Sequence, residues 1–200
     1  MTSFKTPWRG VAPLATLLLL AACAGPALPP AQWWRLPAEA SPPVAAAAAP
    51  SAQAAVWQLV GGVPLPGHLE RDALLVPGPA GALQPSGAAR WAEPLRDAVP
   101  RLLRHDLARA LGAPVWTAPL PPGVAPTRQL RVELLALDVA PGARGVTLQA
   151  RYSLTGPGLV PRAGELALSQ RVDGGDTAAL VQAHRDALAT LAQRLVTELR

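Results

Sequence analysis

Between Arg128 and Leu199 the apolar residues change period, and that change limits the architectures open to the chain. Gly145 to Leu154 alternates strictly, with Val146, Leu148, Ala150, Tyr152 and Leu154 on one side and Thr147, Gln149, Arg151 and Ser153 on the other. Successive side chains of a strand point to opposite faces, so this stretch predicts a strand buried on one face only. Ala163 to Val172 alternates again through Leu166, Leu168 and Val172, after a Gly156-Pro157-Gly158 turn. Upstream, Arg128 to Asp138 predicts a long strand with Leu134, Leu135 and Leu137 on both faces, as in a central strand. Pro141-Gly142 joins it to the next as an antiparallel hairpin. After Gly174-Gly175 the pattern becomes helical. Leu180, Ala187, Leu188, Leu191, Leu195 and Val196 share one face, His184 sits beside it, and Asp176 or Thr177 caps the start. A meander buried on one face and then an amphipathic helix require the helix to lie on that face.

The first half supplies less regular signals. Gln32-Trp33-Trp34-Arg35-Leu36 is too apolar for a linker and predicts a first strand; Val56 to Val63 predicts a second and Asp72 to Pro77 a third. Glycine and proline from Pro77 to Ala89 predict a long irregular loop. Trp91 to Leu111 reads as helical, with Leu95, Ala98, Val99, Leu102, Leu103, Leu107, Ala110 and Leu111 on one stripe. Glu93 and Pro94 suit its first turn, and Gly112 its stop. Pro100 lacks an N–H and crowds the carbonyl four residues back, which predicts a kink or a fresh helix starting there. Arg96, Arg101, Arg104 and Arg109 alternate with Asp97 and Asp106 in the manner of a solvated face. The expected fold is a single α+β domain, residues 32–200. Its mixed or antiparallel sheet has about five to six strands, with two amphipathic helices packed on one face.

Ahead of the domain stands a leader. Lys5 and Arg9 precede an apolar run, Val11 to Ala22, that contains Leu17 to Leu20 and ends in small residues before Cys23. Charged, apolar and small-residue regions in that order read as an export signal over residues 1–22. A spanning helix needs about 20 apolar residues, and Pro13, Gly25 and Pro26 break this run too early for one. Leu20-Ala21-Ala22-Cys23 resembles the bacterial lipobox, which implies that Cys23, the only cysteine, carries a lipid and becomes the first mature residue. Two or three acyl chains hold a protein at a membrane permanently. By resemblance to the sorting pattern of such proteins, Ala24 rather than Asp after Cys23 implies the outer membrane. Residues 23–31 then form a tether, and the Ala/Pro-rich stretch 37–55 is a low-complexity loop not to be forced into regular structure.

Composition excludes several classes. The chain carries +5 overall, but Lys5 and Arg9 belong to the leader, which leaves +3, all of its cations Arg. That modest charge and export from the cytoplasm exclude nucleic acid as a partner; the polyanions in reach are lipid head groups and lipopolysaccharide phosphates. No cysteine remains for a disulfide, so stability must come from packing. His68, His105 and His184 lack metal-ligand spacing and read as surface or boundary residues. Ser86 has no nucleophile elbow and no recognisable base. Gly61-Gly62 and Gly174-Gly175 are turn glycines without the strand-to-helix setting of a phosphate cradle. No catalytic residue, metal or cofactor is expected.

Three stretches in order carry a resemblance: Trp33-Trp34-Arg35-Leu36, Val63-Pro64-Leu65-Pro66-Gly67-His68-Leu69-Glu70-Arg71, and Arg90-Trp91-Ala92-Glu93-Pro94-Leu95. Together they resemble the ABC-type transport auxiliary lipoproteins of the PqiC type, over nearly all of the mature chain. His68 stands where that family favours Tyr, and Glu70 where it favours Asp. The resemblance implies a non-enzymatic subunit of an envelope lipid-transport system, working with a periplasmic MCE-domain protein, anchored through Cys23 and open to homo-oligomerisation. The alternative is an outer-membrane assembly or scaffold lipoprotein of the LptE-like kind. A tethered hydrolase would need a converging cluster of His, Ser or carboxylates.

Overall fold

The computed structural model describes residues 29–41 and 55–199; the leader, Cys23 and residues 42–54 of the Ala/Pro-rich stretch lie outside the described residues. Ala31–Arg200 is one compact unit. In chain order its elements are β1 (Gln32–Trp34), β2 (Trp57–Leu59), β3 (Ala73–Pro77), β4 (Leu83–Trp91), α1 (Leu95–Leu111), β5 (Val115–Trp116), β6 (Arg128–Val139), β7 (Gly145–Thr155), β8 (Arg162–Arg171) and α2 (Thr177–Leu199).

The meander is as expected. β6 pairs antiparallel with β7, and β7 with β8, and two short strands extend the sheet in the order β5-β2-β6-β7-β8. β2 runs parallel to both β5 and β6, so the five-stranded sheet is mixed. On β7, Val146, Leu148, Ala150, Tyr152 and Leu154 are buried while Gln149 and Arg151 face solvent. β6 departs from the two-faced strand expected. Its register slips between Leu134 and Ala136, so one extra residue opposes β7. This bulge shifts the phase by one. Leu130, Val132 and Leu134 before it, and Leu137 and Val139 after it, therefore all face one core.

α2 packs on β7 and β8, and α1 packs against α2 and β5. Leu102, Leu103 and Leu107 of α1 and Leu188, Leu191 and Leu195 of α2 are at most 2% exposed in a shared core. Each such side chain contributes roughly 1.5–3 kcal/mol. Asp176 caps α2 by accepting the Ala179 N–H at 2.9 Å. Pro100 neither breaks α1 nor starts it; the helix runs through it. The carbonyl left without its donor belongs to exposed Arg96 near the first turn, while Ala98, Val99, Leu102 and Leu103 hold the inner side. At the other end Gly112, at φ 64°, donates to Arg109 O and Ala113 donates to Ala108 O, a Schellman stop.

The loop expected over Pro77 to Ala89 is corrected. A turn at Pro79–Gly81 folds β3 back onto β4, and with β1 these form a second sheet in the order β1-β4-β3. β4 was hidden by its Pro85 and Gly87. Pro85 is tolerated because β1 pairs with β4 only from Ala89 to Trp91, leaving the rest of β4 an edge. Trp91 likewise ends β4 rather than beginning the helix; Pro94 is the helix cap and Leu95 its first residue.

Candidate functional site

The three stretches that carry the family resemblance lie far apart in sequence, and the fold gathers them where α1 begins. Trp33 and Trp34 of β1 stand in register with Arg90 and Trp91 of β4. The Ala92 N–H donates to Trp34 O at 2.6 Å, and the Trp91 N–H to Asp72 O at 2.5 Å. Leu69 is buried on the Gly67–Glu70 turn, which packs on α1. Trp91 is 5% exposed and meets the His184 ring edge-on, centroids 5.5 Å apart. The motif residues thus build the joint between the two sheets' helices and the incoming chain.

From that joint residues 35–41 run as an irregular strap with Leu36 and Ala40 buried. Arg185 of α2 holds the strap. Its Nε donates to Pro37 O at 3.0 Å and its Nη2 to Ala38 O at 3.0 Å. Nη1 and Nη2 also form a bidentate pair with Asp106 of α1 at 2.6 and 2.7 Å. The next residue, Asp186, accepts the Ser41 N–H at 2.7 Å and the Gln182 amide at 2.9 Å. Side-chain exposure is 0% for Arg185 and 1% for Asp106, so each charge depends on the other. Asp106 is therefore not on a solvated face, as its charge led us to expect. The position itself gave the signal: Leu95, Ala98, Val99, Leu102, Leu103 and Leu107 define a stripe on which Asp106 also falls.

His184 is also corrected, from boundary to core. It is 4% exposed, and its Nδ1 lies 2.7 Å from Leu180 O. Burial pushes its pKa below the ordinary imidazole value, opposed by the Leu180 carbonyl and the charge of Asp138. His68 pairs with Asp138 at 2.6 Å, both about one-third exposed, and His105 lies 3.7 Å from Glu39 at the surface. Among the described residues no group of three or more His, Cys, Asp or Glu could hold a metal ion. No described helix is long and apolar enough to cross a membrane.

Two surfaces flank this joint. The outer face of the five-stranded sheet carries Arg151, 2.8 Å from Glu165 and 3.8 Å from Glu133. The hydrogen bond and charge of Glu165 raise the Arg151 guanidinium pKa further. On the α1 side run two adjoining open grooves. One, about 510 Å³, is lined by Arg35, Leu36, Ala38, Ala92, Glu93 and Arg101. The other, about 530 Å³, shares Arg101 and adds Arg96, Arg104, Pro100 and the Gly61-Gly62 turn.

Comparison with known proteins agrees with this architecture. The family model for ABC-type transport auxiliary lipoprotein components matches residues 38–196. An uncharacterized protein of known crystal structure superposes with a TM-score of 0.67 at 15% identity, covering 86% of this chain and 100% of its own. A Xanthomonas campestris protein of the DUF330 family gives 0.59 at 18% identity, covering 84% and 94%. Both likenesses concern the fold. No curated protein matches the chain.

Proposed function

We propose that this chain, which belongs to the family of ABC-type transport auxiliary lipoprotein components, is a non-catalytic subunit of an ABC/MCE-type system that moves lipid between the envelope membranes. Membership over residues 38–196 carries the reading. In it Cys23 is acylated after removal of residues 1–22, and residues 23–31 tether the domain to the periplasmic side of the outer membrane. The domain contacts an MCE-domain protein, and its loss weakens envelope integrity. The chemistry of such a role is positional. The acyl chains fix one end at a membrane, and the anchored domain meets its partner at a high effective concentration.

Crosslinking in intact cells tests the proposal, because it preserves the anchored geometry that dilute pull-down loses. Capture of an MCE-domain protein is the expected result. Recovery of an outer-membrane barrel instead would replace the reading with an assembly or scaffold role. Turnover of an envelope substrate by the purified domain would overturn both.

A further inference from the structure

The chain reaches the domain at β1, and there the most exposed aromatic side chain among the described residues, Trp33, stands 62% open to solvent. Trp33 lies two residues before Arg35, whose groove continues through Arg101 to Arg96 and Arg104. The band ends at the Gly61-Gly62 turn. Four guanidinium groups thus meet two carboxylates, Glu93 on Arg101 at 2.5 Å and Asp97 near Arg96 at 4.0 Å. The surface is amphipathic as well as basic: an indole at one end, and arginine stems beside Ala92 and Pro100.

We propose that this face lies on the membrane that anchors the chain, with Trp33 at the head-group level and the arginine band on the phosphates of anionic glycerophospholipids. The inference rests on acylation of Cys23. Ten residues on from Cys23, Trp33 can stand no more than about 35 Å from it, even along a fully extended chain. A domain of this size is about 40 Å across. A tether shorter than the domain is wide keeps the side on which it enters turned to the bilayer. Tryptophan favours the membrane–water interface, and arginine near an anionic surface is attracted within a Debye length, about 8 Å at physiological salt. Charge and tether length thus select the same face.

The test uses the full acylated chain in vesicles of phosphatidylglycerol and phosphatidylcholine, with bromine on the acyl chains of the lipid as a short-range quencher of tryptophan. Docking predicts quenching that is lost in Trp33→Ala and weakened in an Arg35→Gln, Arg101→Gln, Arg104→Gln triple variant. It also predicts weaker quenching in phosphatidylcholine alone or in high salt. Circular dichroism confirms that the variants, all at exposed positions, keep the fold. Equal quenching in wild type and Trp33→Ala overturns the proposal. So does a Trp33 that lipid does not quench but that crosslinks to a second copy or to another protein in cells. Mass spectrometry of the isolated chain separates this from failure of the anchor. If Cys23 carries no acyl chains, its free thiol is coupled to a maleimide lipid, and the same quenching comparison decides docking alone.

Discussion

Asp106→Ala should be among the most damaging single substitutions in the domain, and the geometry fixes why. The change removes both acceptors of the bidentate pair, at 2.6 and 2.7 Å, and leaves the Arg185 guanidinium fully buried with only the Pro37 and Ala38 carbonyls. Breaking a buried pair by deleting one partner costs about 3–5 kcal/mol, a large share of the roughly 5–15 kcal/mol that stabilises a typical domain. Replacing both charges, as in Asp106→Leu with Arg185→Met, should restore most of the loss, because no charge is then left buried. The strap would not be restored, since those carbonyls lose their donors. Urea unfolding gives the coupling energy from the four-member cycle, and trypsin reads the strap through the Arg35–Leu36 bond, where Leu36 is 3% exposed. Expected is a double variant near wild-type stability but cut faster at Arg35. An Asp106→Ala loss below about 1 kcal/mol, or wild-type trypsin resistance in the double variant, would refute the reasoning.

Other expectations follow from single contacts. Burial lowers the His184 pKa, so the unfolded chain binds a proton that the folded one does not. Its contribution to stability is then complete above pH about 6.5 and lost as pH falls below it, with a slope of up to about 1.4 kcal/mol per unit. His184→Gln should flatten thermal stability between pH 7 and the folded pKa, and an unchanged slope would count against a neutral buried imidazole. Trp91→Ala should cost about 3–5 kcal/mol by removing a buried indole from the joint; in urea, a far smaller loss accompanied by failed partner binding would make Trp91 an interface residue. Gly164→Ala places a methyl 2.8 Å from the Tyr152 hydroxyl and 3.0 Å from its ring, across the β7–β8 register. A destabilisation of about 1–3 kcal/mol should appear in the unfolding midpoint. Cys23→Ala should yield unacylated chain by mass spectrometry, released from the membrane fraction; acylation surviving the change would move the anchor elsewhere.

What the sequence revealed of the fold followed the purity of its periods. β7 alternates without exception from Val146 to Leu154, and α2 keeps one apolar face, so both were legible together with the hairpin between β6 and β7. β6 misled because a bulge at Leu135 inverts the phase, and a linear pattern cannot distinguish an inverted phase from a strand buried on both faces. β4 carried too many residues disfavoured in strands. Pro85 and Gly87 are acceptable only because β1 covers just the last three residues of that strand, a fact of pairing rather than of composition. Pro100 showed the converse: packing of Ala98, Val99, Leu102 and Leu103 outweighs one lost hydrogen bond near the helix start.

The joint at the start of α1 was harder to see, because charge and burial pull the reading in opposite directions. Asp106 and Arg185 each occupy an apolar stripe, yet either residue alone reads as solvated; only their meeting across two helices, 79 positions apart, makes burial affordable for both. The pair also accounts for the order in the strap. Pro37 cannot donate a backbone hydrogen bond, and residues 37–41 form no strand, so their carbonyls need donors from outside, which the one guanidinium supplies after satisfying Asp106. This segment is therefore fastened to the same two helices that build the core. A pull along the chain from its N-terminal side meets the β1–β4 hydrogen bonds first and the Arg185 contacts of the strap next. Arg185 is therefore the side chain that joins the strap to both helices, through its own place on α2 and its pair with Asp106 of α1.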